Sequence, residues 1–175
     1  SFGPRDGGSD SKAPKILARN ELSLIRSMIR EQPSGDMAYF VGQPLVRRGV
    51  IGADDYHSLL RRLAAHYAGK GLKFVYFPHR NETLVDQDFD FEIVCNDKPF
   101  EIFLAHSESL PRVIGGFFSS TLATTFHFFH DRIKFEVYWG HQEVSPNNDT
   151  TPFVAKMFED IAASAENFSI TRTRI

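Results

Sequence analysis

The stretch DDYHSLLRRLAAHYAGKGLKFVYF, residues 54–77, decides the fold. From Asp54 to Ala68, the residues Tyr56, Leu59, Leu60, Leu63 and Tyr67 recur on one helical stripe, while Arg61, Arg62 and His66 fall elsewhere. Asp54 or Asp55 is suited to cap this helix, and Gly69 and Gly71 to stop it. The chain then runs apolar from Leu72 to Phe77 apart from Lys73, the pattern of a strand covered by helices on both faces. Upstream, Met37 to Val41 is a short apolar run closed by Gly42-Gln43-Pro44, which reads as a strand ending in a turn. Strand, helix, strand predicts a parallel crossover, with ligand at the carboxyl end of the second strand. Pro78-His79-Arg80 occupies that end.

Working outward, Phe89 to Val94 reads as a strand and Pro99 to His106 as a short helix with proline in its first turn. Val113 to Phe118 reads as a strand leading into Ser119-Ser120 at a helix start. Ile133, Phe135, Val137 and Trp139 alternate with Lys134, Glu136 and Tyr138, predicting a half-exposed strand near a sheet edge. Thr151 to Ala165 predicts a last helix with Phe153, Val154, Met157, Phe158 and Ile161 inward, and Glu21 to Ile29 an early one. Residues 1–20 read as a loop or linker remnant, and 21–175 as one α/β domain. Its expected architecture is a Rossmann-like, mostly parallel sheet flanked by helices.

The 175 residues suit one domain of ordinary size or one half of a two-domain enzyme. A net charge of −2 with interspersed signs argues against nucleic acid or an anionic membrane as the main partner, and no apolar run approaches the ~20 residues that span a bilayer. Cys95 is the only cysteine, excluding an internal disulfide and a cysteine-rich metal site, and reads as buried in a protein of a reducing compartment. The start at Ser1 suggests a fragment or processed product. The sequons at Asn81, Asn148 and Asn167 read as chance.

His79 directly follows a buried strand, so a rigid element would hold its ring while the polar edge reaches a ligand phosphate. A bond to a backbone carbonyl is the bland alternative. Arg80 adds a second cation or points into solvent. Ser119 and Ser120 stand where a helix start offers unpaired N–H groups, which suits a phosphate as well as an ordinary serine cap. Glu101, among apolar neighbours, suits the vicinal hydroxyls of a ribose or simply a favourable first-turn position. Asp6, before Gly7-Gly8, is a candidate general base on a loop or an Asp-Gly turn; Asp54 and Asp55 are weaker candidates. His127 and His130 have i, i+3 spacing but no third ligand, so the aromatic run Phe126 to His130 reads as core filling and no metal is expected.

Phe40-Val41-Gly42-Gln43-Pro44-Leu45, Tyr76-Phe77-Pro78-His79-Arg80-Asn81-Glu82, Pro99-Phe100-Glu101 and Phe118-Ser119-Ser120-Thr121-Leu122, in this order, resemble the donor-binding half of bacterial sialyltransferases of glycosyltransferase family 52 and their polysialyltransferase relatives. The resemblance covers roughly Phe40 to Leu122. It implies the C-terminal domain of a GT-B fold that binds CMP-sialic acid without a metal or other cofactor. By that resemblance His79 contacts the CMP phosphate and assists its departure, Ser119 and Ser120 hold the same phosphate, and Glu101 binds ribose. Asp6-Gly7 resembles the end of the acidic motif that carries the base in some relatives, with Arg5 replacing its first acid. Pro78 precedes the histidine, whereas many relatives place proline after it.

The expected function is therefore transfer of a sugar from a CMP donor to a saccharide acceptor, in the bacterial cytoplasm or at the inner face of the membrane through an absent part. A non-catalytic nucleotide- or glycan-binding module is the alternative. An α/β interaction domain without a small ligand is the third reading, and it predicts His79, Glu101 and Ser119 far apart.

Overall fold

The computed structural model describes residues 32–82, 88–140 and 151–173. Its described elements run β1 (Ser34–Val41), α1 (Ala53–Gly69), β2 (Lys73–Phe77), β3 (Glu92–Ile93), α2 (Phe100–Ala105), β4 (Leu110–Gly116), α3 (Ser120–Phe129), β5 (Lys134–Gly140), α4 (Thr151–Ser164) and β6 (Phe168–Thr173). The six strands form one all-parallel sheet in the order β3-β2-β1-β4-β5-β6, the Rossmann order. The chain reverses direction across the sheet between β1 and β4, the topological switch point at whose carboxyl end sheets of this order bind their ligands.

Side-chain alternation sorts the core into two layers. Ala38, Phe40, Phe74 and Tyr76 face α1, where Tyr56, Leu60, Leu63 and Tyr67 bury the stripe expected from the sequence. Tyr39, Val41, Val75, Phe77, Phe135 and Val137 face the other side, packed with Phe100 and Leu104 of α2, Leu122 and Phe129 of α3 and Phe158 of α4. Gly115 permits the α1 layer to close: a Cβ there would sit 2.6 Å from the Tyr67 hydroxyl and 2.9 Å from the Phe40 ring.

The structure corrects several expectations. Neither Asp54 nor Asp55 caps α1; Gly52 is the N-cap and both acids lie in the first turn, favoured there by the helix dipole. Gly71, at φ +73°, does serve the C-terminal turn. β3 is only two residues long. β4 starts three residues before Val113, and Pro111 is tolerated because the β1–β4 register shifts between Gly35 and Ala38. β5 is not an edge strand, since β6 pairs along its outer side, and Glu136 is 4 % exposed. Cys95 is exposed, not buried. The expected helix Glu21 to Ile29 and the linker lie outside the described residues.

Candidate functional site

The loops after β1, β2 and β4 leave the same sheet edge, because Val41, Phe77 and Gly116 are register partners at the strand ends. Gly42 N–H donates to Phe77 O at 2.9 Å, and Gln43 Nε2 donates to Phe118 O, tying the β1 loop to its neighbours on either side. Phe100, at the start of α2, packs edge-on against Phe77 with ring centroids 5.0 Å apart. His79 and Ser119 therefore lie just beyond the carboxyl ends of β2 and β4, the two strands that flank β1, and Glu101 lies in the first turn of α2, next to Phe100.

His79 is half-buried in a turn held by three bonds. Its N–H donates to Glu82 Oε2 at 3.0 Å, its carbonyl accepts from Glu82 N–H at 2.7 Å, and its Nδ1 accepts from Asn81 N–H at 3.1 Å. Because Nδ1 accepts, the neutral ring carries its proton on Nε2, the tautomer that can donate to an anion. Burial, followed by the charges of Arg80 and Arg48, lowers the imidazole below its ordinary pKa. An arriving phosphate would oppose that cationic contribution, since a negative charge favours the imidazolium.

Below this turn lies a chain of buried hydroxyls. Tyr56 and Tyr76 share a 2.8 Å hydrogen bond, and Tyr76 donates to Glu82 Oε1 at 2.6 Å. Burial above all holds both tyrosines far above their ordinary range, so they remain protonated donors. It also raises the Glu82 carboxyl, against hydrogen bonds from Tyr76, the His79 backbone and Tyr56 that pull it down. Glu82 therefore fixes the His79 loop onto the sheet.

Ser119 is the N-cap of α3 in extended backbone (φ −148°, ψ 150°), its Oγ accepting from Leu122 N–H at 3.2 Å. The cap is real, and its O–H proton is still available to an anion beside the first-turn N–H groups. Ser120 is exposed in that turn. Ser119→Ala is expected to cost about 1 kcal/mol of stability, the usual size of a lost serine cap, read as a lower urea midpoint; an unchanged midpoint would mean the cap bond carries no weight.

Glu101 is half-buried in the first turn of the six-residue α2, and burial raises its carboxyl against a hydrogen bond from its own backbone N–H. Asp6 lies outside the described residues. Among the described residues no cluster of three or more His, Cys, Asp or Glu side chains is arranged to hold a metal, and His127 and His130 are exposed. From the sequence, Gln43 and Glu82 stand only as members of the resembling segments, without a role of their own, and Arg48 has none. Glu82 carried a signal: three residues beyond a strand-end histidine, it can reach back to that histidine's N–H in a tight turn.

These features define an α/β domain of Rossmann topology whose carboxyl edge presents a neutral histidine donor, two arginines and a serine-capped helix start. No protein-family model matches the chain, and neither the curated proteins nor the solved structures yield a match.

Proposed function

We propose that this chain is the donor-binding part of a sialyltransferase-like glycosyltransferase, resembling the C-terminal domain of a GT-B enzyme, which takes a CMP-linked sugar such as CMP-sialic acid and transfers the sugar to a saccharide hydroxyl. The observation that carries this reading is the position of His79 and of the Ser119-capped start of α3 just beyond the carboxyl ends of β2 and β4, the strands on either side of β1, at the point where the strand order reverses. In the reaction, the acceptor oxygen attacks the anomeric carbon as its bond to the phosphate oxygen breaks. The electron pair leaves on the CMP phosphate. His79 donates to that oxygen, and Ser119, Ser120 and the α3 N–H groups hold the other oxygens, stabilisation that grows as charge develops. Arg80 adds positive potential, Glu101 is assigned to the ribose hydroxyls, and the acceptor proton passes to a carboxylate, the role expected of Asp6. No cofactor or metal is invoked. The setting proposed is the bacterial cytoplasm; no helix among the described residues is long and apolar enough to cross a membrane.

One observation favours a binding module without turnover as the second reading. Glu82, the carboxylate bonded to the His79 turn, is spent on Tyr76 and on backbone and so is poorly placed to serve as base. Calorimetry with CMP and CDP tests the binding common to both readings. His79→Ala is expected to weaken CMP about tenfold, the worth of one hydrogen bond to a charged group. Equal affinity in the variant would remove His79 from the site. Incubation with CMP-sialic acid and an oligosaccharide acceptor separates the two readings, since product formation excludes the binding module.

A further inference from the structure

A second polar concavity lies on the α1 side of the sheet, where β5 and β6 extend past the helix. It is an open groove of about 460 Å³, within the size range of small-molecule sites. The alternation that turns Phe135, Val137 and Phe168 into the opposite core turns Lys134, Glu136, Tyr138, Ser169 and Thr171 toward this groove. At its centre, Glu136 is 4 % exposed. Its Oε2 accepts from the hydroxyls of Tyr67 at 3.0 Å and Tyr138 at 3.1 Å. Its Oε1 accepts from Lys134 Nζ at 2.9 Å and Lys70 Nζ at 3.2 Å, so the two nitrogens lie within the sum of those distances, 6.1 Å, of each other.

Two like charges held so close repel, and one carboxylate neutralises only one of them. Each ammonium has three donors, and the Lys70 and Lys134 side chains are 40 % and 50 % exposed, so both keep N–H groups for a further acceptor. Arg62 of α1 lines the same groove and is exposed, which leaves Lys70, Lys134 and Arg62 against Glu136, an excess of two positive charges. Glu136 thus works as a buried anchor that holds two ammonium groups at a spacing able to bridge oxygens of one anion. Beside them, the Ser169 hydroxyl donates to Phe135 O at 3.4 Å and retains lone pairs, while exposed Thr171 offers a second hydroxyl.

We propose that this groove is a binding site for a small hydroxylated phosphate monoester. The phosphate lies between Lys70, Lys134 and Arg62, and the hydroxyls of the ligand meet Ser169 and Thr171. The site is separate from the carboxyl edge and does not depend on the function proposed there.

Amide-resolved NMR of the whole chain, titrated with glucose 6-phosphate at constant ionic strength and with glucose as control, tests this. Saturable shifts at Lys70, Lys134, Ser169 and Thr171, absent with glucose, are expected. Arg62→Ala, an exposed change that leaves the buried anchor intact, and Lys134→Met should each weaken binding about tenfold, while His79→Ala should leave it unchanged. Shifts confined to residues 79–82 and 119–122 would overturn the groove site while leaving the carboxyl edge in place. Unsaturable shifts, or equal affinity in Arg62→Ala and wild type, would overturn it as well.

Discussion

Replacing Gly42 with alanine is expected to destabilise the domain by about 3 kcal/mol, which for a chain of this size lowers the melting temperature by about 10 °C. A Cβ at Gly42 would lie 2.7 Å from both Tyr76 Cζ and Glu82 Oε2, with the Tyr76 hydroxyl closer still. Neither neighbour can yield cheaply. Tyr76 is fully buried and stacks with Phe40, and its hydroxyl is bonded to Tyr56 and Glu82 at 2.8 and 2.6 Å. Moving the ring breaks buried hydrogen bonds, and moving Glu82 releases the His79 turn. The expected loss therefore combines overpacking with at least one unmade buried bond, and CMP affinity should fall with it. Thermal unfolding followed by circular dichroism reads the stability. A midpoint within 2 °C of wild type would show that the tyrosine pair repacks freely.

The second large effect is expected at Glu136→Ala, about 3 kcal/mol at neutral pH, in the range for breaking a buried charge network. The variant strips Tyr67 and Tyr138 of their shared acceptor and leaves Lys70 and Lys134 adjacent without the anion between them. Burial pushes the Glu136 carboxyl up, yet the hydrogen bond and charge of Lys134, the Tyr67 hydroxyl and the charge of Lys70 together leave it below its ordinary value. A carboxyl held low in the folded state adds stability that is complete above its unfolded pKa and is lost as pH falls through the folded one. The gap between wild type and variant should accordingly be widest at neutral pH and narrow as pH drops below the ordinary carboxylate range. Urea unfolding at a series of pH values measures this. A gap that stays constant or widens toward acid would mean that Glu136 contributes by packing alone.

The parallel sheet was legible because β1, α1 and β2 each obey one period without interruption, so strand, helix and strand could be read in sequence. β5 was misread for a physical reason. Lys134, Glu136 and Tyr138 alternate with apolar residues as on a wet face, but Tyr67 of α1 and Lys70 at its C-cap, distant in sequence, cover Glu136 and pair with it. β6 was missed although Phe168, Ile170 and the polar residues between them alternate in the same way; its place directly after a helix, with only Ala165 to Asn167 between, hid that signal. Cys95 was read from composition as buried, whereas the short β3 leaves it on an exposed loop. At the edge site, His79 and Ser119 were visible because each follows a strand. Glu82, Gln43 and Arg48 were not, since their roles depend on turns that close only when β1, β2 and β4 lie side by side.

The central claim is that the carboxyl edge grips a nucleotide by its phosphate. Amide-resolved NMR of the chain titrated with CMP and, separately, with cytidine tests it most directly. Saturable shifts at residues 79–82 and 119–122 with CMP, reduced at least tenfold in affinity with cytidine, are the result the account predicts. Equal responses to CMP and cytidine at those amides, or none with CMP, would contradict it.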